Sequence, residues 1–169
     1  MKKNKAVFLD RDGTINKNFG YVHQVKNFIF LKKVITAIRF LKNKGYKVVV
    51  VTNQSGVDRG YFKLRDVTKL HKWINYILKK NKTKIDKFYV STYHPNFSKN
   101  NSKAYLRKPK PGMLIKAKKD LNIDLNKSFM IGDSKTDQLA AKKVNLLFVK
   151  KRANLLTCAK SGLAKLSKS

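Results

Sequence analysis

Short apolar runs alternate with longer amphipathic stretches along the whole of this chain. Ala6–Leu9, Tyr46–Thr52, Ile85–Ser91, Ser128–Ile131 and Leu146–Val149 are predicted strands. Runs of this length suit parallel strands covered on both faces, and the unbroken β-branched Val48–Val51 suits a central one. Between them the apolar period lengthens. Val34, Ile35, Ile38 and Leu41, with the neighbouring Ala37, recur at helical spacing, and Asn43-Lys44-Gly45 supplies a stop signal. Leu64–Lys80 reads as an amphipathic helix through Val67, Leu70, Trp73, Ile74, Ile77 and Leu78, with Trp73 in the core. Pro111 opens a helix running through Leu121, and another spans about Thr136 to Lys143. The basic tail from Lys150 carries Leu155, Leu156, Leu163 and Leu166, which suggest a short packed helix. Ile15–Asn27 and Asn53–Gly60 read as loops, and the Asn-, Ser- and Lys-rich Pro95–Lys103 as a mobile one. Strands alternating with helices predict an α/β protein with a doubly wound, mostly parallel sheet.

The 169 residues are enough for one five-strand core, so a single domain over 1–169 is expected. No apolar run approaches the ~20 residues of a membrane span, and no signal-peptide core precedes the first strand. The lone Cys158 excludes an internal disulfide and fits a reducing cytoplasm. Charge changes the picture more. Forty Lys and Arg face nine acidic residues, all of them Asp, for a net charge of +31. Such a charge draws anionic ligands and would support nucleic-acid binding. Yet the lysines are spread over almost every segment, and Asn and Ile are abundant with them, as in a compositional bias. Nucleic acid is therefore the less favoured partner.

Carboxylates are scarce, but they cluster where chemistry is expected. The first strand ends in Asp10-Arg11-Asp12-Gly13-Thr14, and open α/β sheets bind ligands at the carboxyl ends of their strands. Two carboxylates one residue apart repel unless a cation or a proton separates their roles. Asp10 could then attack phosphorus while Asp12 protonates the leaving oxygen. An ordinary Asp-Gly turn is the alternative at this point. The second strand ends in Thr52-Asn53-Gln54-Ser55-Gly56, where the Thr52 hydroxyl and nearby N–H groups offer donors to a phosphate. Arg107-Lys108-Pro109-Lys110-Pro111 is a proline-stiffened segment that could hold Lys108 against developing phosphoryl charge, or a plain basic loop. The fourth strand ends in Gly132-Asp133-Ser134-Lys135-Thr136-Asp137, whose Asp133 would complete an oxygen-rich shell for Mg²⁺.

Together and in this order, these motifs resemble the haloacid dehalogenase superfamily of aspartate-nucleophile phosphatases, across nearly the whole chain. The resemblance implies a Rossmann-like fold with Asp10 as nucleophile, Asp12 as general acid/base, Thr52 as phosphate-binding hydroxyl and Lys108 as phosphate-stabilising lysine. It implies Mg²⁺ held by Asp10, the Asp12 main-chain carbonyl and Asp133, with Asp137 as a supporting acid. Arg11-Asp12-Gly13-Thr14-Ile15-Asn16, Gly20-Tyr21-Val22, Arg59-Gly60 and Arg107-Lys108-Pro109 resemble the heptose-bisphosphate phosphatase branch, next to the histidinol phosphatases. That branch implies substrate contacts from Asn18, Phe19, Gly20 and Tyr21, from Thr52, Asn53, Gln54 and Ser55, and from Arg107 and Lys108. It also implies a role in nucleotide-heptose synthesis for a surface polysaccharide.

Two features depart from that branch. The positions of its structural zinc ligands hold Ser91, Tyr93, Ala104 and Leu106, none of which is a thiolate or imidazole, so no zinc is expected. His94 stands one residue out of place. The basic residue that follows the position of Asp133 in many relatives is replaced by Ser134, leaving Lys135 as the candidate substitute. The intervals from Asp12 to Thr52 and from Thr52 to Lys108 leave no room for a separate cap domain, so an open site in a monomer is expected. A small phosphorylated sugar suits it best, Arg107 gripping a second phosphate as a bidentate partner. A polynucleotide 3′-phosphate and histidinol phosphate are the rival substrates, and a non-catalytic nucleic-acid-binding relative is the rival class.

Overall fold

The computed structural model describes residues 3–168. Five strands and five α-helices alternate among them: β1 (Ala6–Leu9), α1 (Val34–Asn43), β2 (Lys47–Asn53), α2 (Leu64–Lys80), β3 (Lys87–Ser91), α3 (Gly112–Asp120), β4 (Phe129–Gly132), α4 (Lys135–Lys142), β5 (Leu147–Lys150) and α5 (Leu155–Leu166). The strands form one sheet in the order β3-β2-β1-β4-β5, every pair parallel. The chain winds outward from β1 to β3, then returns to the other side of β1 for β4. Leu9 is flanked by Val50 and Ile131 in register. The switch point, where a crevice must open, therefore lies just beyond Leu9.

Alternation along each strand sorts the core into two layers. Val7, Leu9, Val48, Val50 and Phe129 face α1, α2 and α5, meeting Ile38, Leu70, Ile74 and Ala159. Ala6, Phe8, Val49, Val51 and Met130 face α3 and α4, meeting Met113, Leu114, Ala117, Ala140 and Ala141. Both faces are buried, which is why β1, β2 and β4 read as continuous apolar runs. Trp73 is half-buried against Phe28 and Phe30 at the border of the first layer.

Apart from one-residue shifts at strand ends and a 3-10 turn over Val25–Asn27, three segments differ from their sequence reading. Ile85 and Asp86 stand outside β3; the Asp86 carboxylate accepts from Val48 N at 2.7 Å and Lys42 Nζ at 2.8 Å, and Asp86 N donates to the Val48 carbonyl at 2.8 Å. The Pro95–Lys103 stretch, expected as a loop, runs into a 3-10 helix over Asn101–Leu106, begun by the Asn100 side chain accepting from Ser102 N. Helix α5 is longer than a short tail helix, with the Asn154 side chain capping Thr157 N at 3.1 Å. No helix of the described residues is long and apolar enough to cross a membrane.

Candidate active site

Residues past the end of β1 continue its alternation. Asp10 follows Ala6 and Phe8 toward the α3/α4 side, and Arg11 follows Val7 and Leu9 toward the α1/α2 side. Asp10 there meets Lys108, which is 4% exposed. Lys108 Nζ donates to Asp10 Oδ1 at 2.7 Å, to Asp137 Oδ1 at 2.6 Å and to the Val51 carbonyl at 2.8 Å. The segment that carries it is clamped to β2 by a reciprocal amide pair. Asn53 Nδ2 donates to the Lys108 carbonyl at 3.0 Å, and Lys108 N donates to Asn53 Oδ1 at 3.1 Å. Asp137 in turn starts α4: its Oδ2 accepts from Ser134 N and Oγ, while Ser134 Oγ accepts from Asp137 N. One carboxylate thus caps a helix and orients the lysine.

Burial raises Asp10 to about 7, opposed by the Lys108 charge and reinforced by Asp137. Burial alone would lower Lys108, but Asp10 and Asp137 outweigh it and hold the ammonium above its ordinary range. Asp133, open to solvent at the mouth, is raised by partial burial and then by Asp137. Gly13 lets Asp133 approach. With φ at +85°, a Cβ there would stand 2.0 Å from Asp133 Oδ2.

Asp12 is surrounded by donors. Arg11 Nη2 reaches both its oxygens at 3.1 and 2.9 Å, Asn16 Nδ2 reaches Oδ1 at 2.9 Å and Gln54 Nε2 reaches Oδ2 at 2.8 Å. Gln54 Nε2 also donates to Thr52 Oγ1 at 2.9 Å, which leaves the Thr52 hydroxyl hydrogen available to a ligand.

Asp10, Asp12, Thr52, Gln54, Lys108 and Asp133 line a 330 Å³ cavity together with Asn18, Gly20, Tyr21, Asn53, Ser55, Ser134 and Thr136. Asp137 joins the site through Lys108 without lining the cavity, and two other expected residues stand apart from it. Phe19 is 62% exposed and outside the lining. Arg107 is also outside the lining, its Nη1 donating to the Tyr93 carbonyl at 2.9 Å. Arg107 is half-buried, and burial and then the Arg59 charge lower its pKa. It therefore belongs to a cationic group beside the cavity rather than to its floor. Lys135 is exposed and outside the lining, while its neighbours Ser134 and Thr136 are part of it. Sequence reasoning passed over Arg11, Asn16, Ser134 and Thr136. Arg11 left a signal, being a cation locked between two site carboxylates.

The donor set suits a hard divalent cation. Asp10, Asp133 and Asp137 each bring an oxygen within 4.8 Å of the others. Lys108 is ion-paired with Asp10 and Asp137, so one lysine faces three carboxylates and negative charge is left in excess. Oxygen-only ligands with room for water fit Mg²⁺.

Residues 5–154 match the family model described as polynucleotide kinase 3 phosphatase. The D-glycero-beta-D-manno-heptose-1,7-bisphosphate 7-phosphatase of Pasteurella multocida (strain Pm70) is 45% identical over 139 residues, covering 82% of this chain and 76% of that one. Its namesake from Escherichia coli (strain K12) is 43% identical over 143 residues, covering 83% and 75%. The crystal structure of D,D-heptose 1,7-bisphosphate phosphatase from B. bronchiseptica, complexed with magnesium and phosphate, matches with a TM-score of 0.80 and 26% identity over 95% of this chain and 86% of that one. Fold and site define a phosphatase of the haloacid dehalogenase class. More narrowly, the chain belongs to the D-glycero-β-D-manno-heptose-1,7-bisphosphate 7-phosphatase family, and to the wider phosphatase family of the matching model.

Proposed function

We propose that this phosphatase removes the 7-phosphate of D-glycero-D-manno-heptose 1,7-bisphosphate, yielding a heptose 1-phosphate for nucleotide-heptose synthesis. The observation that carries the reading is the Lys108 bridge between Asp10 and Asp137 beneath a cavity also lined by Asp12, Thr52 and Asp133. Lys108 fixes the Asp10 carboxylate, and Asp10 attacks phosphorus to form an aspartyl-phosphate. Lys108 Nζ and the Thr52 hydroxyl offset charge on the phosphoryl oxygens. Asp12 gives a proton to the departing sugar oxygen, then takes one from the water that cleaves the aspartyl ester. Asp10, Asp133 and the Asp12 main-chain carbonyl would hold Mg²⁺, which supplies further neutralisation of phosphate charge.

The second phosphate is assigned to the rim, where Arg107 and Arg59 crowd positive charge beside Tyr21. No zinc clip is expected on the 91–107 segment. Ser91, Tyr93, Ala104 and Leu106 supply no suitable ligand, and other contacts tie the segment down: Ser98 Oγ donates to Asp58, Arg59 Nη2 meets His94 Nε2 at 2.6 Å, and Tyr93 OH donates to Asn101 at 3.1 Å.

A second reading, 3′-phosphate removal from polynucleotides, is favoured by the description of the matching family model and by the +31 charge. A panel with Mg²⁺ separates them: both heptose bisphosphate anomers, histidinol phosphate and an oligonucleotide 3′-phosphate at rising salt. The sugar bisphosphate should give the highest kcat/KM, and Asp10→Asn should abolish it. Preferential turnover of the oligonucleotide, falling steeply with salt, would transfer the assignment to the second reading.

A further inference from the structure

Arg11 is a fully buried guanidinium at the edge of the site. Its Nη2 donates to both oxygens of Asp12 and to the Val22 carbonyl, and its Nη1 meets Nε2 of His71 at 3.2 Å. A guanidinium carries donors and no acceptor, so this contact is a hydrogen bond only if His71 Nε2 offers a lone pair. The imidazole is then neutral, with its proton on Nδ1. Its surroundings enforce that form. His71 is buried on α2, on the face that carries Val67, Leu70 and Ile74, and stacks on Phe88 of β3 with ring centroids 4.2 Å apart. Burial, then the Arg11 charge, lowers its pKa to about 3. A polar ring on an apolar helix face is costly to bury unless its bonds are made. Here the bond runs toward the reacting carboxylate, across 60 residues of sequence.

We propose that His71 is a positioning residue for phosphoryl transfer: its Nε2 fixes Arg11, and Arg11 fixes the Asp12 carboxylate and the Val22 end of the loop that roofs the cavity. His71 itself lies outside the cavity lining, so it acts through Arg11. Asn16 and Gln54 hold Asp12 by neutral donors, and among the described residues Arg11 is the cation paired with it. Without the His71 acceptor, Nη1 is left buried and unpaired, and Nε already has no partner. The guanidinium then has reason to shift toward water and to carry Asp12 off its line to the leaving oxygen.

The proposal rests on Asp12 being the acid/base of the proposed reaction, and leaving-group dependence tests it. A sugar alkoxide needs a proton to depart, whereas p-nitrophenolate departs without one. kcat/KM, which covers the steps through formation of the aspartyl ester, would be measured for wild type, His71→Leu and His71→Gln. The two substrates would be p-nitrophenyl phosphate and the best alkyl phosphate of the panel. Their ratio within one preparation is independent of the fraction folded. His71→Leu should lose roughly 30-fold on the alkyl phosphate, part of the 10²–10⁴ that general acid catalysis contributes, and far less on the aryl phosphate. His71→Gln, whose amide oxygen replaces the Nε2 acceptor, should recover most of that loss. Equal losses on both substrates, or a Gln variant no better than Leu, would overturn the proposal and leave His71 a packing residue. Wild type inert on both substrates would instead overturn the parent reading of Asp10 and Asp12.

Discussion

Replacing Lys108 by Met perturbs the bridge on which the site depends. Met matches the aliphatic length and removes the donors to Asp10, Asp137 and the Val51 carbonyl, all made within 2.6–2.8 Å. The lysine is 4% exposed, so water cannot take its place without reorganisation. Deleting one partner of a buried ion pair costs about 3–5 kcal/mol. For a chain of this size that corresponds to a midpoint roughly 6–20 °C lower at about pH 8 without metal. The deficit should shrink on acidification. Asp10, raised by burial to about 7 from 3.8 even with the lysine present, is raised further without it. Through that window the folded state binds more protons than the unfolded one, so stability falls as pH rises and returns as pH drops. Added Mg²⁺ should restore part of the midpoint through the same carboxylates. It should not restore turnover, because a charge stabiliser of this kind is worth about 10²–10³ in kcat. Thermal unfolding at about pH 5 and about pH 8, with and without Mg²⁺, would be read beside kcat. An unchanged midpoint at the higher pH, with near-wild-type kcat, would refute both the bridge and its role.

Mg²⁺ affinity should rise with pH through about 7 and level off above, because burial, opposed by Lys108 and aided by Asp137, keeps a proton on Asp10 up to there. Calorimetry in two buffers should detect proton release near neutrality that fades at higher pH, and an affinity flat across this range would contradict the shift. Metal-free wild type should itself lose stability as pH climbs from 3.8 toward about 7, since Asp10 is then the better proton acceptor in the folded state. Gly13→Ala should weaken Mg²⁺ activation by at least about tenfold, with about 1–2 kcal/mol of strain from the left-handed backbone. Its Cβ would stand 2.0 Å from Asp133 Oδ2 and displace a carboxylate of the cation site. An unchanged Mg²⁺ titration of activity would refute that crowding.

Much of this molecule is legible in one dimension because its strands are buried on both faces. Val48–Val51 and Ala6–Leu9 announce central parallel strands by apolar content alone, and helix α2 shows its stripe at helical spacing. A parallel sheet then gathers its strand ends on one edge, so Asp10, Asp12, Thr52 and Asp133 could be grouped before any coordinate was known. Which polar side chains meet there was not legible, since such pairing depends on approach across the core and on burial. Packing turned Arg11 inward to His71, 60 residues away, and made Asn53 a clamp on Lys108, 55 residues away. The same packing left Phe19 in solvent and set Arg107 beside the cavity, against the Tyr93 carbonyl, rather than in its lining. The apolar pattern determined the layers and the edge where the acids gather, because burying those faces is the driving force for folding. The tertiary structure alone decided the hydrogen-bond partners, because an unpaired polar group in that edge is too costly to leave and its partner can come from anywhere in the chain.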